Sequence, residues 1–415
     1  MRTILHSDLN NFYASVECVY EPSLRSVPLA VCGNPKDRHG IVLAKNMPAK
    51  LLGVKTGEAI WEAKQKCPEL RVVAPDFQKY LRFAKMMRRM YAEYTQYIEP
   101  FGLDEAWLDV TGHPMSGKAI ADELRLRAKE ELGLTLSVGV SYNKIFAKLG
   151  SDMKKPDATT VITPENYREK VWPLPAEDLL YVGPATRRKL RSRNIFTIGQ
   201  IARCPPEALI SMMGKCGEML WCFANGLENS SVRPMDEAAM IKSVGNSTTT
   251  PRDLICEQDA RMVVTVLSES VAERLRSHGL CGSVVELYVR DCDLNSFTRQ
   301  RKILRPTALA TEIIPCAMEL FRANYRWERP IRSMGVCVSA LELLEGDEQL
   351  NMFPDRGRER LYDLEDTVED IRRRFGHHSI LRASLISDRI GAINPRDDHV
   401  IFPVGWKSAA SGGRG

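Results

Sequence analysis

Three carboxylates stand where they could hold a metal ion. Asp8 falls where a short strand, read over residues 3–7, gives way to a helical stretch from Phe12 to Val19. A carboxylate there can reach a metal. The free backbone N–H groups of Asn11, Phe12 and Tyr13 at the helix start, aided by the helix dipole, can receive phosphate oxygens. Taken alone, Asp8 reads as a helix cap or a surface aspartate. Asp104 and Glu105 change that reading. Neighbouring side chains on a regular strand point to opposite faces, so two adjacent acids share one ion only at a turn or a strand start. Gly102, just upstream, permits that bend. The residues that follow, Ala106-Trp107-Leu108-Asp109-Val110, read as the half-buried strand that would hold them, with Asp109 on the alternate phase and structural. Acids beside an apolar strand are costly unless paired or metal-bound. Three carboxylates from two strands therefore suggest a cage for two Mg²⁺ ions, which clamp the attacking and leaving oxygens in phosphoryl transfer.

Positioning such acids requires strands alternating with helices. Residues 25–75 mix short apolar runs (Pro28 to Cys32, Gly40 to Ala44) with a Lys-rich amphipathic stretch, Glu58 to Lys66. From Lys79 to Tyr97 the residues Leu81, Ala84, Met87, Tyr91 and Tyr94 recur at three- or four-residue spacing and predict a helix. A strand-like pair around Gly102, a helix from about Gly117 to Glu131 and an apolar strand from Leu134 to Val140 follow. Up to about residue 165 the chain thus reads as an α/β or α+β domain. Residues 170–232 are strongly helical, and Ser230 to Asp236 reads as a linker. Residues 242–344 form a further α+β domain, with strand-like Val284 to Val289 and Met334 to Ala340 between helical Ala260 to Ser277 and Ala310 to Tyr325. Beyond Glu345 lie a short apolar motif, one charged helix (358–375) and a polar tail with no assigned fold.

Composition narrows the function classes. A length of 415 residues corresponds to about three domains. Hydrophobic residues at 44% and charged residues at 27% exclude wholesale disorder. A net charge of +5 is too small to prove a polyanionic partner, so the placement of the basic residues carries the information. The first apolar run is too short for a secretory signal, and no run of about 18 apolar residues predicts a membrane span. The 11 cysteines include no C-x-x-C pair and read as reduced thiols of a cytoplasmic protein rather than a disulfide framework or zinc site.

The segment His6-Ser7-Asp8-Leu9-Asn10-Asn11-Phe12-Tyr13-Ala14-Ser15-Val16-Glu17, together with Leu103-Asp104-Glu105-Ala106-Trp107-Leu108-Asp109-Val110-Thr111, closely resembles the Y-family translesion DNA polymerases of the DinB, or polymerase IV, type. Supporting stretches are Asn46 to Val54, Ser137 to Val140, Lys144 to Pro156, Lys242 to Gly245 and Thr250 to Leu254, collinear over residues 1–345. The resemblance implies an α+β multidomain, right-hand polymerase. Its palm would span residues 1–17 and 76–167, small fingers 18–75, and a helical thumb with a helix-hairpin-helix 168–232. A linker (233–241), a little finger (242–345) and a C-terminal extension (346–415) would follow. Asp8, Asp104 and Glu105 match the family's metal-binding trio, with the Leu9 carbonyl as a further ligand. Tyr13 matches the bulky aromatic gate that clashes with a ribose 2′-OH; without the resemblance, core packing is its default reading. Lys155 matches the lysine that touches the incoming triphosphate.

Three departures from the family pattern stand out. Asn10 replaces a frequent second aspartate outside the metal trio. Met47 and Lys50 occupy the positions of a Tyr and an Arg on the triphosphate; Lys keeps the charge but not the bidentate fork, and Met removes a hydroxyl donor. Ala44 replaces a hydroxyl. Weaker nucleotide binding and compensation by Lys45 are both compatible with this.

The thumb region carries the strongest basic run: Arg187, Arg188, Lys189, Arg191, Arg193 and Arg203, with no acid from Tyr181 to Arg203. Just before it, Val182-Gly183-Pro184-Ala185 resembles a helix-hairpin-helix turn, where glycine lets backbone N–H groups approach a phosphate. In the last domain, period-2 alternation puts Arg299 and Arg301 on one face, a track for a DNA backbone. Lys144 and Lys148, one helical turn apart, could reach phosphates too. Gln349-Leu350-Asn351-Met352-Phe353, apolar residues in a polar setting, suggests a docking peptide. It resembles the Q-L-x-x-F peptide by which bacterial polymerases bind the sliding clamp (β subunit), though here some sixty residues follow it.

The expectation is a cytoplasmic, monomeric, template-directed DNA polymerase of low fidelity. It would add dNTPs to a primer 3′-OH on primer–template DNA, past damaged bases, with two Mg²⁺ ions and without proofreading. The rival readings are another two-metal palm enzyme, such as a nucleotidyl cyclase, and a catalytically weak DNA- or clamp-binding accessory protein of the same fold.

Overall fold

The computed structural model describes residues 2–34, 40–237, 240–344 and 356–386, which divide into two compact units meeting in sequence near residue 240. The first unit opens with β1 (Ile4–Leu9) and α1 (Phe12–Tyr20). A small lobe follows, made of β2 (Leu29–Cys32), β3 (Val42–Lys45), α2 (Met47–Leu51), α3 (Ile60–Lys66) and β4 (Arg71–Val73). The chain continues through α4 (Phe77–Ala92), β5 (Ile98–Pro100), β6 (Glu105–Asp109), α5 (Gly117–Leu132), β7 (Leu136–Ser141), α6 (Lys144–Met153) and β8 (Thr159–Val161). It ends in a helical run of α7 (Tyr167–Lys170), α8 (Pro184–Arg191), α9 (Ile198–Arg203), α10 (Pro206–Met213) and α11 (Lys215–Ala224).

Five strands pair in the order β5-β6-β1-β7-β8. All six residues of β1 and all six of β7 are buried, because helices cover both faces of these central strands. On one face α6 lies so close that a Cβ at Gly139 would sit 1.9 Å from the Ala147 carbonyl oxygen, which only glycine permits; on the other, a Cβ at Gly117 of α5 would run into Thr3 and Val140. Capping fixes the helix starts: Asp76 accepts from the Lys79 N–H and Asn143 from the Phe146 N–H. The small lobe is a three-stranded sheet, β3-β2-β4, over a core of residues such as Ala30, Val42, Ala49 and Ala63. Buried Asn46 knits it together, accepting from the N–H groups of Leu29 and Ala49 and donating to the carbonyls of Leu24 and Val27. The helical run shares a core with α6, through Phe146 and Leu149 against Leu190, Ile198, Ile201 and Leu220.

The second unit comprises β9 (Ser243–Leu254), α12 (Glu257–Ser277), β10 (Leu280–Asp291), β11 (Ser296–Thr307), α13 (Ala310–Asn324), β12 (Ile331–Leu343) and α14 (Arg356–Phe375). Its sheet is antiparallel in the order β11-β10-β12-β9. Period-2 alternation turns Val285, Leu287, Val336 and Val338 toward α12 and α13, into one core with Val263, Leu267, Ile313 and Phe321. Each such fully buried side chain contributes roughly 1.5–3 kcal/mol. The other sheet face is polar and mostly small: Gly245 and Ser247, Gly335 and Cys337, Glu286 and Tyr288, Thr298 and Gln300.

Helix α14 packs on this unit through its charged side. Glu365 accepts from the N–H groups of Ala310 and Thr311 and from Arg276; Arg358 pairs with Glu312, and Arg372 with Glu269. Of its apolar residues at three- and four-residue steps, Leu364 is 58% and Phe375 74% exposed, while Leu361, Val368 and Ile371 are half-buried. The tail assigned no fold in the sequence is anchored as far as Leu385, which is buried in the unit's core.

Among the described residues no helix is long and apolar enough to cross a membrane, and no disulfide joins any of the cysteines.

Candidate active site and nucleic-acid surfaces

Asp8 lies within β1 rather than past its end, and it is the direct cross-strand partner of Glu105 on β6. Paired residues of antiparallel strands present their side chains to the same face, so the two carboxylates share one side of the sheet. Asp104 immediately precedes β6, in a bend where Gly102 has φ +118°. The bend is tied down by the Leu9 N–H, which donates to the Asp104 carbonyl (3.1 Å), and by Arg88, which donates to the Gly102 carbonyl (3.3 Å). Two adjacent acids thus depart from strand alternation where the sequence required it.

Two lysines reach into the acids. Lys155 Nζ is 2.6 Å from Asp8 Oδ2 and 2.8 Å from Asp152 Oδ1. Lys148 Nζ lies 3.0 Å from Glu105 Oε2, 3.2 Å from Asp152 Oδ2 and 3.7 Å from Asp8 Oδ2. Burial alone would lower both ammoniums, but the surrounding carboxylates outweigh it and hold them above their ordinary values. Burial, and then the Glu105 charge, raises Asp8 and pushes Asp104 up to about 6. Glu105 is also penalised by burial, yet His6 and Lys148 bring it below the usual carboxylate range.

As the side chains stand, no three acid, histidine or cysteine groups among the described residues gather tightly enough to hold an ion. Lys148 sits between Asp8 and Glu105, and Lys155 is on Asp8. The donor set nevertheless fits a hard cation. His6 is fully buried, and burial pushes it down to about 4, so it is neutral near pH 7. The Ser151 hydroxyl donates to the Lys148 carbonyl (2.7 Å), so His6 Nδ1 must donate to Ser151 Oγ (2.9 Å). His6 Nε2 then faces Glu105 Oε2, 3.5 Å away, the same oxygen that Lys148 Nζ approaches to 3.0 Å. Lys148 supplies the positive charge at Glu105 here, and carboxylate oxygens at neighbouring positions are the ligand type that suits magnesium-like ions. The sequence did not single out His6; its neutral, proton-poor edge depends on Ser151, distant in sequence.

Around this centre, Asn11 sits in the left-handed region (φ 51°) at the start of α1, and the Phe12 side chain is core. Phe12 can therefore meet a ligand only through its backbone, while the half-exposed Asn11 side chain remains available. Tyr13 stacks flat on Tyr80, with centroids 4.4 Å apart and 15° between planes, and edge-on against Phe77. The Tyr80 hydroxyl donates to buried Glu17 (2.7 Å), which also pairs with Lys79. Burial, and the nearby Asp104 charge, push Tyr13 up to about 12. Asn10 is buried, accepts from the Ser137 hydroxyl (3.0 Å), and is a structural residue. Lys50 is exposed at the end of α2; Lys45 donates to the Thr56 hydroxyl (2.9 Å), and burial and the Lys50 charge hold it below its ordinary value.

The basic surfaces divide differently from the sequence reading. Gly183 caps α8 with nothing within 4 Å of where a Cβ would stand, and Arg188 and Lys189 are exposed beside it. Arg187 and Arg191 both lean on Glu177. In the second unit, Arg299 and Arg301 do share a face, but it is the helix-facing one, because they pair with the core residues Leu287 and Val285. Arg299 donates to Asn324 (3.1 Å), and Arg301 pairs with Glu319, both on α13. The open face of that strand presents Thr298, Gln300 and Lys302, beside a trough of about 620 Å³ lined by Gly245, Ser247, Tyr288 and Gly335. Lys144 is not a surface cation either: it pairs with buried Glu99 (2.8 Å) and covers the Trp107 ring. The docking peptide Gln349, Leu350, Met352 and Phe353 lies outside the described residues.

Comparison with known proteins follows the same boundaries. Residues 7–152 match the impB/mucB/samB family, and residues 241–352 match the C-terminal domain of that family. DNA polymerase IV of Acetivibrio thermocellus is 51% identical over 394 residues, 94% of this chain and 98% of that protein. DNA polymerase IV of Pelotomaculum thermopropionicum is 38% identical, covering 92% and 94%, and DNA polymerase IV 1 of Bacillus subtilis is 34% identical, covering 93% of each. A solved Y-family DNA polymerase chimera superposes with a TM-score of 0.71 at 24% identity, over 82% of this chain and 99% of its own, which supports the fold. With an acid pair fixed across two central strands and relatives matched over nearly its whole length, the chain belongs to the impB/mucB/samB family, the DinB-type Y-family DNA polymerases.

Proposed function

We propose that this chain copies DNA past damaged template bases with Asp8, Asp104 and Glu105 as its catalytic carboxylates. It is a DNA-directed DNA polymerase of the translesion type, acting on primer–template DNA and dNTPs with divalent metal ions. The accessory-protein reading is not favoured. Two Mg²⁺ ions are our assignment, held by Asp8, Asp104, Glu105 and the Leu9 carbonyl. When bound, they supply charge neutralisation for in-line attack of the primer 3′-OH on the α-phosphate.

The remaining roles belong to the protein. The Glu105 carboxylate is kept ionised by Lys148, ready to accept a cation. Lys155 reaches from Asp8 toward the triphosphate, with the backbone N–H groups of Asn11, Phe12 and Tyr13 and the Lys50 ammonium beside it. Tyr13, backed by Tyr80, forms the wall that excludes a 2′-OH. We assign the palm to residues 1–17 and 76–167, fingers to 18–75, thumb to 168–232, linker to 233–241 and little finger to 242–345. Duplex backbone contacts fall to Gly183, Arg187, Arg188 and Lys189, and, in place of Arg299 and Arg301, to Lys302 on the open sheet face. Residues 349–353 would dock on the sliding clamp. We further infer a monomer of low fidelity, acting in the cytoplasm.

The cross-strand pairing of Asp8 with Glu105, with Asp104 delivered by the Gly102 bend, carries this reading. Primer extension with Mg²⁺ tests it: Asp104→Ala should abolish extension while DNA affinity stays within about threefold of wild type, since removing one carboxylate leaves the phosphate-binding cations intact. Substantial residual extension would overturn the metal assignment.

A further inference from the structure

One face of the small lobe takes no part in the reaction as assigned. Helix α3 turns Ala63 into the lobe's core and presents Trp61 to solvent, with Lys64 and Gln65, three and four residues on, exposed on the same side. Trp61 is 63% exposed, and Leu51, at the end of α2 over the same core, is 81% exposed. The charge around them is lopsided. Between residues 41 and 66 the chain has lysines 45, 50, 55, 64 and 66 against only Glu58 and Glu62. Both acids are committed: Glu58 to Lys66 and the Lys55 N–H, and Glu62 to the Ala59 N–H at the start of α3. Lys45, Lys55 and Lys64 form no ion pair among the described residues.

A bare indole with an ammonium one helical turn away has the chemistry of single-strand recognition. Every unpaired base offers a π-face to an aromatic ring, and cations beside the ring track the phosphates between bases. A purely apolar partner would leave those charges uncompensated, whereas a polyanion neutralises them. Resting on the polymerase reading, we propose that the exposed face of α3, with Trp61 as platform and Lys64 as phosphate contact, holds the unpaired template strand ahead of the primer terminus. Stacking of this kind is blind to base identity, as an enzyme that meets every template sequence requires.

Equilibrium binding of the full chain to dye-labelled primer–templates tests this, using 5′ template overhangs of one and of about eight unpaired nucleotides, within the usual site size of such surfaces. Wild type should prefer the longer overhang. Trp61→Ala should weaken binding to it by about 5- to 100-fold and leave the one-nucleotide substrate within about twofold, while Trp61→Phe retains most of the affinity. Lys64→Ala should weaken the long-overhang complex and flatten its salt dependence. Equal loss on both substrates, or no loss on either, overturns the proposal, the second result leaving the patch to a protein partner. Extension on the one-nucleotide template, measured alongside, separates the two readings. Failure of wild type to extend would discard the polymerase, whereas overhang binding reports on Trp61 alone.

Discussion

Replacing Glu365 with alanine removes a buried carboxylate that accepts four hydrogen bonds. They come from the N–H groups of Ala310 (3.0 Å) and Thr311 (3.1 Å), the Thr311 hydroxyl (3.2 Å) and the Arg276 guanidinium (2.7 Å). The two amides open helix α13, so Glu365 caps a helix to which it does not belong. A lost cap costs about 1 kcal/mol and a broken buried ion pair about 3–5 kcal/mol. Arg276 keeps Asp366 at 2.9 Å and Glu369, so its charge is not stranded. The lower end applies to the pair, about 4 kcal/mol in all with the cap. For a unit of this size each kcal/mol moves the melting midpoint by roughly 2–4 °C, giving a fall of about 8–16 °C. The assay is thermal unfolding of the full chain, with exposed Leu364→Ala as a control that should stay within about 0.5 kcal/mol of wild type. Glu365→Gln should lose less than alanine. Ending the chain after residue 352 removes α14 and Leu385 together and should lose more. A Glu365→Ala midpoint within about 2 °C of wild type would refute the view that α14 is part of the unit's fold.

Tyr80→Ala should relax sugar discrimination by up to about tenfold, because the stack on Tyr13 is worth about 0.5–1.5 kcal/mol. Tyr13→Ala should relax it further, read as ribonucleotide incorporation opposite a defined template, and no change would reassign the ring to packing. Lys302→Ala should weaken DNA binding and reduce its salt dependence, whereas Arg301→Ala should do neither, since Arg301 answers to Glu319; the reverse ranking would return the DNA track to the arginines. Alanine at Gln349, Leu350 and Phe353 together should remove stimulation by the sliding clamp and leave basal synthesis intact, and unaltered stimulation would discard the peptide.

The bend ahead of Glu105 was legible because its constraint is local: adjacent acids that share a face need one, and Gly102 supplies it. The long helices of the first unit were equally plain from their apolar steps: one starts two residues before the expected Lys79, where Asp76 caps it, and the other starts at Gly117 as expected, after the Ser116 cap. What the sequence hid depends on distant partners. Alternation correctly put Arg299 and Arg301 on one face, but the register against Val285 and Leu287 decides which face, and strand pairing is not written locally. Lys144 looked like a surface cation until Glu99 appeared beside it. Polar β9 carries few β-favouring apolar residues, and its identity as a strand comes from pairing with β12. Helix α14 was legible as a charged helix, but its seat on the second unit rests on partners distant in sequence, Glu269, Arg276 and Glu312.

The chain leaves the second unit at Leu344, whose N–H bonds the Gly279 carbonyl, and rejoins it at α14, held by Arg358 and Glu365. The Q-L-N-M-F run lies between these two moorings. A free tail would work as a leash, letting whatever it hooks wander and turn. A segment fastened at both ends works as a bridle: its closure entropy is already spent in folding, and torque on it is shared between β12 and α14. Anything that grips residues 349–353 would therefore steer this unit rather than merely keep it nearby.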